Sequence, residues 1–179
     1  GIQMQLMRLA EHVSDEKIGE TISALDQVIG DVREYILDLK SANYKHQTIK
    51  QSLQDALSRL TIPSETTIVV DAPNQRALFT EHKLEAICQI VNEAVSNAIR
   101  HAEADKITIF ARQDSLQFHM TITDNGKGFK LDELNRHRGL GLRNMHQRMK
   151  LHNGEIEIDT APGEGTQITL EFPVKKMRG

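Results

Sequence analysis

From Ile2 to about Asn43 the chain has no proline, and its apolar residues keep a seven-residue rhythm. Ile2, Leu6, Leu9 and Val13 are spaced 4-3-4, and Ile18, Ile22, Leu25, Ile29, Val32, Ile36 and Leu39 run on at 4-3-4-3-4-3. That spacing puts each set on one stripe of an α-helix, at the a and d positions of a heptad. Ser14-Asp15 supplies a turn and an N-cap between the arms, predicting helices over residues 2–13 and 16–41. Two helices with one narrow stripe each cannot dry it alone. A second copy can cover it by completing a four-helix bundle, or the rest of the same chain can. Seven uninterrupted a/d positions are more regular than one-sided packing needs, which favours the homodimer. The first arm is short beside the second, and the chain starts at Gly1 rather than Met, so the expectation is a piece of a longer protein.

From Gln47 onward the texture changes, dividing the chain into segments 1–44 and 45–179. Thr48–Leu60 reads as a helix with Ile49, Leu53, Leu57 and Leu60 on one side, and Thr67–Val70 as a short strand. Leu84–His101 is a helix whose core face carries Leu84, Ile87, Cys88, Val91, Val95 and Ala98. Lys106–Ala111 and Leu116–Thr123 are strands about a tight Gln113-Asp114 turn. The second alternates, with Leu116, Phe118, Met120 and Ile122 on one face. Leu140–His152 is a helix ending at Asn153-Gly154, and Glu155–Thr160 with Thr166–Phe172 forms a hairpin around Pro162-Gly163-Glu164-Gly165. The class is α+β, a mostly antiparallel sheet with helices on one side.

Composition narrows the function. Of 179 residues 39% are hydrophobic and 26% charged, as in an ordinary globular chain. Lys plus Arg number 22 against 25 Asp plus Glu, which gives no reason to expect nucleic acid, whose binding needs many cationic contacts. No apolar run approaches the roughly 20 residues that cross a bilayer. The expected setting is cytoplasmic, with no direct membrane contact by this stretch of chain, while segments upstream of it are left open as a membrane anchor. The single cysteine, Cys88, excludes an internal disulfide and reads as a packed thiol. His12, His46, His82, His119, His146 and His152 form no metal-like pair and read as surface or packing residues.

Three features are unusual for a purely structural domain. Glu93, Asn97, Arg100 and His101 are spaced i, i+4, i+7, i+8 and share one helix face. A carboxylate, a carboxamide and basic groups there suit a hydrated Mg²⁺ and a polyphosphate, although an ordinary solvated face has the same composition. Asp124-Asn125-Gly126-Lys127-Gly128-Phe129 follows a strand. Its aspartate can accept from an exocyclic amine and its glycines leave room for a flat ring, while Asn-Gly is also a frequent turn pair. Gly139-Leu140-Gly141-Leu142 stands ahead of a helix, where free N–H groups can cradle phosphate. It is neither a Walker A loop nor a dinucleotide-fold glycine set.

The order and spacing of the three, closed by Gly163-x-Gly165-Thr166, resemble the ATP-binding domain shared by sensor histidine kinases, gyrase-type topoisomerases, Hsp90 chaperones and MutL repair proteins. Asn92-Glu93-Ala94-Val95-Ser96-Asn97-Ala98-Ile99-Arg100-His101-Ala102 is similar to the N box of histidine kinases of the NarL/DesK type. Asp124–Phe129 resembles their G1 box and Gly139–Leu142 their G2 box. The helical arms, with Val28-Ile29-Gly30-Asp31-Val32-Arg33, resemble their dimerisation and phosphotransfer helices.

The resemblance implies a GHKL (Bergerat-type) α/β sandwich at 45–179 behind a helical hairpin at 1–44. It implies ATP and Mg²⁺ as ligands, with Asn97 on Mg²⁺, Glu93 as base or polarising group near the γ-phosphate, and Arg100 and His101 near the phosphates. Asp124 would take the adenine amine, and Gly126 and Gly128 would shape its pocket. Gly139, Leu140, Gly141 and Leu142 would meet phosphates through N–H groups, and Thr166 would close the adenine end. Residues 129–138 would be a short lid, without a separate phenylalanine box. The implied partners are a second copy through helices 2–13 and 16–41 and a NarL/LuxR-type response regulator.

One departure stands out. The subfamily's phosphoaccepting histidine is followed by an acidic residue, and no histidine of the first arm is. His12-Val13-Ser14 lies at that arm's end, so the acceptor is expected upstream of Gly1. The resulting expectation is a kinase core that binds ATP·Mg²⁺ but does not phosphorylate itself. The alternatives are an ATP-regulated binding module and an anti-sigma-type protein-serine kinase of the same fold, the latter disfavoured by the long heptad arms.

Overall fold

The computed structural model describes residues 47–130 and 140–174. The two heptad arms, the bundle they predict, Gly139, most of the expected lid and the basic tail lie outside the described residues.

Helix α1, Ile49–Leu57, begins at a capping box: the Thr48 hydroxyl accepts the Gln51 N–H, and the Gln51 side chain accepts the Thr48 N–H. These two bonds satisfy donors that a helix start otherwise leaves open. Ile49, Leu53, Ala56 and Leu57 are buried, and the Ile49 and Lys50 N–H groups bond the Gln75 and Pro73 carbonyls. Strand β1, Thr67–Asp71, precedes the long helix α2, Glu81–Arg100. The sequence places the start of α2 at Leu84 because Glu81, His82 and Lys83 carry no apolar period. The backbone nevertheless closes its first turn from Leu84 N–H to Thr80 C=O.

Strands β2, Lys106–Gln113, and β3, Gln117–Asp124, pair antiparallel, and β1 joins β2 in parallel. Leu116 falls outside β3. The Asp114 carboxylate accepts the N–H groups of Leu116 and Gln117, forming the turn and leaving Leu116 70% exposed. The predicted alternation therefore runs one step too far. Helix α3, Leu140–Leu151, ends as predicted near Asn153-Gly154, but Asn153 rather than Gly154 takes the left-handed backbone, at φ 55°. The Gly154 N–H returns to the Met149 carbonyl. Strands β4, Glu155–Thr160, and β5, Thr166–Pro173, form the hairpin.

The sheet order is β1-β2-β3-β5-β4, mixed through its one parallel pair. Alternate residues of the three central strands, including Ile107, Ile109, Phe118, Met120, Ile168 and Leu170, are buried in one core with Ile87, Ile90, Val91 and Met145 of the helices. Phe79, Phe118 and Phe172 lock the end of the sheet where β3 begins, with ring centroids 4.8 to 5.1 Å apart. The other end, where β3 finishes and β5 starts, is held by polar contacts. Edge strand β4 carries Glu155, Glu157 and Asp159 on its exposed side, charges that discourage pairing with a further strand.

Candidate functional site

Asp124 is the last residue of β3 and pairs with Thr166, the first of β5, because the β3–β5 register brings both strand ends together. Its half-buried carboxylate accepts the Gly126 N–H at 2.8 Å, and the neighbouring Thr166 N–H and hydroxyl favour its charged form. Burial pushes the Asp124 carboxyl above its ordinary pKa, outweighing those donors. A carboxylate turned inward at a strand tip and bonded along one side is suited to read a donor such as an exocyclic amine. Gly128 closes this turn at φ 58°, against the Ala161 and Gly165 carbonyls, where a side chain has no room.

Thr160 was not singled out from sequence. Its hydroxyl accepts the Phe129 N–H at 3.2 Å, donates to the Gly165 carbonyl at 2.8 Å and stands 3.3 Å from the Thr166 hydroxyl. The only sequence signal for it is hairpin register: a turn at 162–165 sets Thr160 opposite Thr166.

The second part of the site lies on α2. One turn apart on its half-buried edge, the Asn97 amide donates to Glu93 Oε1 at 3.4 Å. Glu93 also touches the start of α3, where a methyl group added at Gly141 would collide with Glu93 Oε1. Gly141 is therefore required for close approach, and the N-terminal turn of α3 stands beside the Glu93–Asn97 pair. Leu142 packs against the core. Arg100 and His101 are exposed at the end of α2, where the His101 N–H closes on the Asn97 carbonyl. Neither side chain joins the hydrogen bonds of the site among the described residues.

Hard oxygen donors at Glu93 and Asn97 fit a Mg²⁺ ion that takes its remaining ligands from water and phosphate. Among the described residues no group of three His, Cys, Asp or Glu could form an all-protein cage. A separate groove of about 330 Å³ between α1 and β1, lined by Lys50, Leu57, Ile62 and Val70, shares no residue with this site. Cys88 is buried, with its thiol 3.6 Å from the Ser52 carbonyl.

The family described as histidine kinase-, DNA gyrase B-, and HSP90-like ATPase matches residues 82–176. Sensor histidine kinase LiaS of Bacillus subtilis (strain 168) is 27% identical over 179 residues, 97% of this chain and 49% of LiaS. A sensor-like histidine kinase of Chloroflexus aurantiacus is 32% identical over 152 residues, 81% of this chain and 26% of that protein. The chain thus spans half or less of the relatives it matches. The histidine kinase domain of the Erythrobacter litoralis EL346 blue-light activated kinase superposes with a TM-score of 0.60 at 20% identity, covering 71% of this chain and 61% of that one. At that identity the likeness is one of fold.

Proposed function

The chain belongs to the histidine kinase-, DNA gyrase B-, and HSP90-like ATPase family, and on that premise we propose that residues 45–179 bind ATP·Mg²⁺ as the catalytic domain of a cytoplasmic, NarL/DesK-type sensor histidine kinase. The reaction is transfer of the γ-phosphoryl group to a histidine, and from there to an aspartate of a NarL/LuxR-type response regulator. The observation that supports this reading is that one domain carries both an inward carboxylate at the tip of β3 and a carboxylate–carboxamide edge on α2 that abuts a helix start.

Each residue then has a task. Asp124 accepts the adenine amine, Gly126 and Gly128 leave space for the ring, and Thr166 holds the carboxylate in place. The backbone from Gly139 to Leu142 offers N–H groups to phosphate. Arg100 and His101 add positive charge near the triphosphate. Asn97 holds Mg²⁺, which offsets charge on the β- and γ-phosphates when bound. Glu93 polarises the attacking histidine or takes its ring proton. The bond from the γ-phosphorus to the bridging oxygen breaks, ADP leaves with that electron pair, and an imidazole nitrogen bonds phosphorus. Helices 2–13 and 16–41 would pair with those of a second copy.

Incubating the chain with γ-labelled ATP, Mg²⁺ and a helical segment carrying a phosphoaccepting histidine tests the transfer. Acid-labile, alkali-stable label on the segment is expected. A chain that binds ATP yet leaves the segment unlabelled would favour the ATP-regulated binding module instead.

A further inference from the structure

Asn125 lies between the adenine-reading Asp124 and the buried Gly126, and its side chain does not face the site. Its Oδ1 accepts two successive N–H groups, those of Asp105 at 3.2 Å and Lys106 at 3.0 Å. Its Nδ2 donates to Asp105 Oδ1 at 2.7 Å, and its own N–H bonds the Lys106 carbonyl at 3.2 Å. Two residues on, the Lys127 N–H bonds the Ala102 carbonyl at 2.9 Å, and Lys127 Nζ meets Glu103 Oε1 at 3.0 Å. Gly126 is pressed flat on Ala102, with no room for a side chain between them.

The gripped segment, residues 102–106, is the connection that leads from α2 into β2. The Ala102 N–H bonds the Asn97 carbonyl at 3.2 Å, and the Ala104 N–H bonds the Ala98 carbonyl at 3.1 Å. The Ala102 backbone, through its N–H and its C=O, therefore joins the turn that carries Asn97 to the turn that follows Asp124. Glu103 completes the bend with φ at 56°, an uncommon backbone for a residue with a side chain.

We infer that Asn125 is a positioning residue, whose clasp on Asp105 and Lys106 sets the separation between the adenine-reading carboxylate and the Mg²⁺-holding edge of α2. The inference rests on the ATP·Mg²⁺ reading above and deepens it. An Asn-Gly turn alone would need only a turn-forming residue at 125, whereas a clasp needs two acceptor bonds and one donor bond. Asp at 125 keeps the acceptors but sets a carboxylate against Asp105. Ligands touching one end of the site tolerate a shifted separation, while a ligand spanning both ends does not.

The test is calorimetric titration of adenosine, ATP with EDTA and ATP with Mg²⁺ into wild type, Asn125→Asp, and Asn125→Asp with Asp105→Asn, with thermal midpoints to verify folding. Asn125→Asp is expected to weaken ATP·Mg²⁺ about tenfold, the equivalent of one or two lost hydrogen bonds. Adenosine should change no more than about twofold, and the double variant, which restores a donor–acceptor pair between 105 and 125, should recover most of the ATP·Mg²⁺ affinity. Should Asn125→Asp unfold, Asn125→Ser replaces it, keeping one acceptor. Unchanged ATP·Mg²⁺ affinity, equal losses for adenosine and ATP·Mg²⁺, or a double variant as weak as the single would each overturn the inference. A folded wild type that binds no ATP·Mg²⁺ would instead contradict the proposed function itself.

Discussion

The ionised form of Asp124 is disfavoured in the folded chain, because burial raises its pKa despite the Gly126 hydrogen bond and the neighbouring Thr166 donors. The folded state then holds this proton more tightly than the unfolded state does, so stability falls as pH rises from the ordinary carboxylate value through the raised one. At neutral pH the charge is a standing cost. Asp124→Asn should therefore leave the thermal midpoint at pH 7 equal to or above that of wild type while removing nucleotide binding; a folded variant with wild-type ATP affinity would refute the role given to Asp124. The same carboxyl predicts that ATP affinity, followed by calorimetry from pH 7 downward, begins to fall at a higher pH than an ordinary carboxylate would give. At Gly141 the issue is space. Gly141→Ala drives a methyl group into Glu93 Oε1, so it should lower Mg²⁺-dependent ATP affinity about tenfold or more, seen as a reduced difference between titrations with Mg²⁺ and with EDTA.

Among the elements, β3 has a different anchor at each end. Phe118 near its start is fully buried and stacks on Phe172 at 4.9 Å, whereas Asp124 at its end is held by polar bonds. Phe118→Ala should cost about 3–5 kcal/mol, measured by urea unfolding, and a loss below 1 kcal/mol would mean that the aromatic cluster is not the anchor. The elements themselves were legible because their apolar periods are clean: i, i+3, i+4 along α2, and alternation from Phe118 to Ile122. What the period does not carry is side-chain bonding to the backbone, even where, as at Gln113-Asp114, the turn itself is expected from sequence. Thr48 and Gln51 form a capping box and Asp114 builds a turn through side-chain bonds to the backbone, interactions that no hydrophobic pattern records. The left-handed Asn153 shows the same limit, since two adjacent residues could each have ended α3.

At the scale of the whole molecule, the glycine-bearing motifs single out segments of the sequence, but not what holds those segments together. Asn125, Ala102 and Thr160 owe their positions to register and to the connection from α2 to β2, and those follow only from the assembled sheet. Glu93 and Gly141, 48 positions apart in the sequence, meet because α3 starts beside the edge of α2. In the proposed function one hollow, between the tip of β3 and the edge of α2, holds one nucleotide. The most direct test is to titrate the chain with a non-hydrolysable ATP analogue and Mg²⁺ while following backbone amide shifts. Saturation at one equivalent, with Asn97, Gly126, Gly128, Gly141 and Thr166 moving together, is the predicted result. Absence of saturable binding by the folded chain, or shifts confined to another surface such as the groove around Lys50 and Ile62, would contradict it.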